Sequence, residues 1–127
     1  MKKKRYSGEI WTANYFIDDL DRLDITIRGK HEIGRIFAPT WEMVMALKKA
    51  NDPKTYIPRY IEKYNQMMDE SYRKNREIWR YVIQMPRVVF TCYCGADKFC
   101  HRVLLANYFH KHFGSKYRGE IYRKRRK

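Results

Sequence analysis

Three observations predict an α/β domain with a mostly parallel central sheet of about four strands and flanking helices, Rossmann-like in outline. Residues 87–93, RVVFTCY, form a continuous β-branched and aromatic run, as expected of a strand buried on both faces of a parallel sheet. Shorter strand-like stretches are separated by segments whose apolar residues recur at three and four. The chain has 127 residues, 44% of them hydrophobic, which suffices for one core and not for two. The single compact domain is expected over residues 9–122, between basic tails at 1–8 and 123–127.

Taken in order, EIWTANYF (9–16) is aromatic and β-branched and reads as the first strand. DDLDRL (18–23) is an acidic turn or short helix, and DITIR (24–28) alternates as a second strand. GKHEIGRIFAP (29–39) has no period and reads as loop. Thr40 follows Pro39 as an N-cap for a helix over 41–50, with Trp41, Val44, Met45 and Lys48 on one face. From Pro58, Ile61, Tyr64, Met68 and Tyr72 recur helically, and Trp79 and Val82 continue that face. A straight helix over 58–84 would be ~40 Å long at 1.5 Å per residue, so a break is expected near Arg73–Asn75. The aromatic stripe reads as core rather than as a ligand platform. Met85-Pro86 ends the helix before the buried strand. A last helix is expected from about Asp97 to Phe113, stopped by Gly114, then a short strand GEIY (119–122).

The net charge is +14, from 28 Lys+Arg against 14 Asp+Glu. Part of it lies in the tails, KKKR (2–5) and YRKRRK (122–127), but Arg28, Lys30, Arg35, Lys48, Lys49, Arg59 and Lys63 carry the excess inward. That balance favours a polyanion or nucleotide partner over a merely solvated surface. No apolar run approaches the ~20 residues of a membrane span, and the basic N-terminal stretch lacks the apolar segment of a secretory signal. A cytoplasmic location is expected. Three cysteines, all within nine positions, make a poor disulfide framework and are expected to stay reduced.

Those cysteines mark the expected working end. In VVFTCYCGADKFCHRVLLANYF (88–109), Cys92 and Cys94 flank one residue and share a face of the strand. With Asp97 as N-cap, Lys98, Phe99 and Cys100 would occupy the first helical turn, where free backbone N–H groups and the helix dipole favour an anion. A cysteine there, beside Lys98, His101 and Arg102, would have a lowered thiol pKa, and Arg102 could clamp a phosphate or carboxylate in two-pronged fashion. Zinc is the second possibility, on Cys92, Cys94, Cys100 and His101. Cys-x-Cys on a strand and adjacent Cys-His on a helix are poor spacings for it. No glycine-rich phosphate loop or His-Glu-x-x-His pattern occurs.

The same stretch resembles the hallmark of the prokaryotic and phage family catalogued as domain of unknown function 488: an apolar strand, Cys-x-Glu, a spacer, then Cys-His-Arg opening a helix. TANYF (12–16), ITIRGK (25–30), FAPTWEMVMALKK (37–49) and YIEKYNQMM (60–68) extend the likeness to roughly residues 9–122. The resemblance implies an α/β domain and a shared pocket of Asn14, Arg28, Cys92, Cys100, His101 and Arg102. Cys94 stands where the family has its Glu, so a carboxylate able to act as acid, base or hydroxyl acceptor is missing there.

The expected function is binding of an anionic, nucleotide-like ligand or a nucleic-acid end at the Cys100–His101–Arg102 turn. Arg28 and Arg102 would hold phosphate, Asn14 would orient the ligand, and Cys92 and Cys94 would line the site. The competing classes are an enzyme on nucleotide or nucleic acid with Cys100 as nucleophile or His101 as acid–base, and a charge-driven nucleic-acid-binding module. No cofactor other than zinc and no membrane partner is expected.

Overall fold

The computed structural model describes residues 8–27, 32–93 and 99–122. Within them the strands β1 (Glu9–Asn14), β2 (Arg22–Asp24), β3 (Arg87–Cys92) and β4 (Lys116–Ile121) form one parallel sheet in the order β2-β3-β1-β4. The helices are α1 (Trp41–Lys49), α2 (Pro53–Lys74), α3 (Arg76–Ile83) and α4 (His101–Phe113), with a 3-10 turn over Gly34–Phe37. The chain is thus an α/β domain with its parallel sheet flanked by helices, as its sequence predicts.

Side chains alternate across a strand, so Ile10, Val88 and Phe90 share one face of the sheet. That face carries the core. Trp79 stacks on Phe109 with ring centroids 5.2 Å apart, and Phe109 meets Phe90 edge-on at 5.3 Å. Every residue of β3 from Val88 to Cys92 is buried, as its continuous apolar run requires. The tyrosines of α2 are core residues too. Tyr64 is buried and its hydroxyl donates to the Phe37 carbonyl at 2.7 Å.

Several boundaries differ from the sequence reading, each for a local reason. The second strand lies at Arg22–Asp24 rather than 24–28. The Asp24 carboxylate accepts from the Thr26 backbone N–H at 2.9 Å and turns the chain out of the ladder. The long helix starts at Pro53, not Pro58. Proline at the first helical position forfeits no bond, and Thr55 hydroxyl donates to Asp52 to close that turn, so Pro58 is absorbed inside. Helix α1 is capped by Thr40, whose Oγ1 accepts from Met43 N at 3.1 Å. It buries Met43 and packs Leu47 against the core, while Trp41 is exposed, so its inner face is rotated from the one expected.

The expected break falls at Asn75, which separates α2 from α3 with φ −123° and ψ 40°. Ser71 pins it: its hydroxyl donates to the Ile36 carbonyl and accepts from the Trp79 indole, each at 3.0 Å. Helix α4 begins at His101, with Cys100 extended at the N-cap (φ −157°), so Cys100 precedes the first turn instead of lying in it. Asp97 and Lys98 lie outside the described residues. Gly114 ends α4 at φ 75°. The last strand begins at Lys116, three residues before the GEIY segment that the sequence marks.

Candidate functional site at the carboxyl edge of the sheet

In parallel sheets the carboxyl ends of the strands are where ligands bind. Asn14 ends β1, Cys92 ends β3, and Cys100, His101 and Arg102 open α4 beside them. The register places Asn14 directly opposite Cys92. Of the residues expected here, the structure brings these five to one edge. Arg28 and Cys94 lie outside the described residues.

Arg102 is fully buried. Its Nε donates to Glu120 Oε1 at 3.2 Å and its Nη2 to Oε2 at 2.9 Å, a two-pronged pair. Its Nη1 donates to Cys92 Sγ at 3.0 Å. The fork expected to await an anion is therefore turned onto a carboxylate of the protein itself. Thr12 hydroxyl also donates to Glu120 Oε1, at 2.6 Å, and meets the Tyr117 hydroxyl at 2.8 Å. Burial raises the Tyr117 phenol above its ordinary range, which keeps its proton available for Thr12.

This arrangement depends on an irregularity in β4. Tyr117 pairs with Ile10 and Glu120 with Thr12, so both point to the helix-bearing face although three positions separate them. A regular strand would send them to opposite faces. The register shift between Ile10 and Trp11 absorbs one extra residue. Gly119 takes the positive φ of 123° that this needs, a conformation other residues rarely adopt. The bulge carries Glu120 to Arg102. Sequence reading missed Glu120, Thr12 and Tyr117, because a register shift leaves no periodic signal. Glu120 thereby brings a carboxylate to this edge.

His101 is buried under the same edge. Its Nε2 lies 2.7 Å from the Ile25 carbonyl. A carbonyl only accepts, so Nε2 carries the proton and Nδ1 presents a bare lone pair, 3.7 Å from Cys100 Sγ. Burial pushes the imidazole down to about 4, against the opposing pull of that hydrogen bond, and the ring is neutral at physiological pH. Cys92 and Cys100 are both buried and are paired as a disulfide, their Cα atoms 7.9 Å apart. The cysteines expected to stay reduced are thus bonded to one another. In this state neither Cys92 nor Cys100 offers a thiolate to an anion site, a substrate or a metal. Of the expected zinc set, Cys92, Cys100 and His101 lie together with two of the three bonded to each other, and Cys94 lies outside the described residues.

Asn14 ties the two central strands together. Its Nδ2 donates to the Tyr93 carbonyl at 3.2 Å and its Oδ1 accepts from Phe16 N at 3.1 Å. This holds three rings at the edge: Tyr15 and Tyr93 with centroids 4.4 Å apart, and Phe16 5.5 Å from Tyr15 and 6.0 Å from Tyr93. Of these three rings, Phe16 and Tyr93 are open to solvent, 64% and 54% exposed, so a ligand can reach them. No helix among the described residues is long and apolar enough to cross a membrane.

The sequence model of DUF488-N3a, described as the active DUF488-N3 subclade, matches residues 28–113. That is about two thirds of the chain and includes Cys92, Cys100, His101 and Arg102. The chain belongs to this family. The match stops short of β1 and of Glu120, so two contributors to the edge lie beyond it. No curated protein and no solved structure matches the chain.

Proposed function

We propose that this DUF488-N3 protein binds a nucleotide-like ligand at the carboxyl edge of its sheet, its base against the Phe16 and Tyr93 rings. The observation that carries the reading is this pair of exposed aromatics, held by Asn14 beside the buried Arg102–Glu120 network. Ring faces accept any base, and stacking is worth ~1–3 kcal/mol per base. The chain's positive charge suits a phosphate-bearing partner. Arg102 serves this site by fixing Glu120 and the edge of β4, rather than by gripping phosphate itself.

A second reading is enzymatic, and Glu120 favours it. A carboxylate flanked by Arg102 and Thr12 at a ligand edge is equipped to accept a hydrogen bond from a ribose hydroxyl and orient it, and the matching subclade is described as active. With Cys100 bonded to Cys92, Glu120 replaces Cys100 as the group to test for chemistry.

A thermal-shift titration with nucleoside 5′-monophosphates, against inorganic phosphate at matched ionic strength, checks the binding reading. The wild type is expected to gain melting temperature with the nucleotide well beyond the gain with phosphate, and Tyr93→Ala to lose most of the difference. Equal responses of the two proteins to nucleotide would remove the aromatic edge from the account.

A further inference from the structure

We propose that, once its disulfide is reduced, the protein binds one zinc ion through Cys92 Sγ, Cys100 Sγ and His101 Nδ1, so that disulfide and metal are alternative occupants of one site. These three ligand atoms all lie within 4.8 Å of one another, on three buried residues. They come from the end of β3, the N-cap of α4 and its first residue, elements fixed by the sheet and by α4 packing. The adjacency of Cys100 and His101, unfavourable on a regular helix, is resolved by the extended backbone of Cys100.

Two further features suit a metal. A zinc-bound histidine usually donates its other ring nitrogen to a carbonyl or carboxylate, which fixes the tautomer. His101 does so through Nε2 to Ile25. Arg102 Nη1 donates to Cys92 Sγ, a contact that strengthens when that sulfur is a thiolate. Charge balances as well: two thiolates neutralise a divalent cation, and Glu120 neutralises Arg102, so the buried cluster carries no net charge. The Cα atoms of Cys92 and Cys100 are 7.9 Å apart, wider than the ~4.4–6.8 Å that disulfides usually span. Once the bond is reduced, the two sulfurs can move apart on that wider backbone spacing and admit an ion between them. Two thiolates and an imidazole are a recognised zinc set, with the fourth position open to water or ligand.

The interconversion balances. A dithiol reductant gives two electrons and two protons to the Cys92–Cys100 bond and becomes a disulfide itself. The two thiols then release two protons as the zinc ion binds.

Cobalt(II), which reports thiolate ligation optically, is the probe. The full-length protein is reduced, freed of reductant without oxygen, and titrated with cobalt, then with zinc. The expected result is one equivalent of cobalt with thiolate-to-cobalt charge-transfer and tetrahedral d–d absorption, bleached by one equivalent of zinc. The protein with its disulfide intact is expected to give neither band, a comparison that needs no variant. Cys92→Ser and Cys100→Ser are each expected to weaken binding by about a hundredfold or more, since losing even an outer-shell partner costs ~10–100-fold. A reduced wild type that stays colourless, or bands that persist in both serine variants, would overturn the site.

Discussion

At the two ends of β3, an arginine grips carboxylates in opposite surroundings. At the amino end, Arg87 spans Asp19 and Asp21 at 2.9 and 2.8 Å while 35% exposed, its guanidinium over the Trp11 ring. At the carboxyl end, Arg102 is 0% exposed and its partner Glu120 only 9%. The first grip straps the segment joining β1 to β2 onto the sheet, and water competes for each of its bonds. The second has no water to fall back on, so each polar atom depends on its protein partners. Similar chemistry thus serves as an adjustable clasp at one end and as a fixed scaffold at the other. The scaffold lies where a parallel sheet receives its ligands.

Breaking the buried pair on one side gives the largest effect. Arg102→Met leaves Glu120 buried and uncompensated, and chemical denaturation is expected to show a loss of ~3–5 kcal/mol. Arg102→Met combined with Glu120→Leu removes both charges and is expected to recover most of that loss. If the double variant is no more stable than the single, the buried pair is not what the first variant broke.

Arg87→Met should cost far less, roughly 0–1 kcal/mol, because exposed pairs are screened. The clasp does respond to pH. The hydrogen bond from Arg87, chiefly, holds the Asp19 carboxyl below its ordinary range, against partial desolvation. A depressed carboxylate contributes stability that is complete above its unfolded value, ~3.9, and lost as pH falls through the lower folded value. Melting temperatures of wild type and Arg87→Met are therefore expected to converge as pH drops from about 5 towards 2. A constant gap across that range would mean Arg87 acts through Trp11 packing rather than through Asp19.

How legible these two ends were in the sequence differs as well. The strand over 87–92 and the helix stop at Gly114 could be read because burial on both faces and a left-handed cap leave local marks. The break at Asn75 was readable from length alone. The edge residues Cys92, Cys100, His101 and Arg102 stood out as one cluster. Glu120 did not. It reaches Arg102 only through the shift at Gly119, and a bulge is defined by its neighbouring strand, which sequence does not display. The state of the cysteines was equally hidden. Cys92 and Cys100 are eight residues apart, and only the fold brings their sulfurs together.

The claim that the carboxyl edge is a ligand site meets its most direct test in nucleotide affinity, measured calorimetrically at about 50 and 200 mM salt. A binding surface built on 6–10 phosphate contacts loses ~10³–10⁵ in affinity over that range. The proposed edge predicts wild-type affinity changing by less than about tenfold with salt, because a single nucleotide brings few phosphates to it. It also predicts that Phe16→Ala with Tyr93→Ala weakens binding by about tenfold or more at both salts. Affinity that collapses with salt yet is unchanged in the double variant would place the binding on the chain's basic charge and contradict the edge as its site.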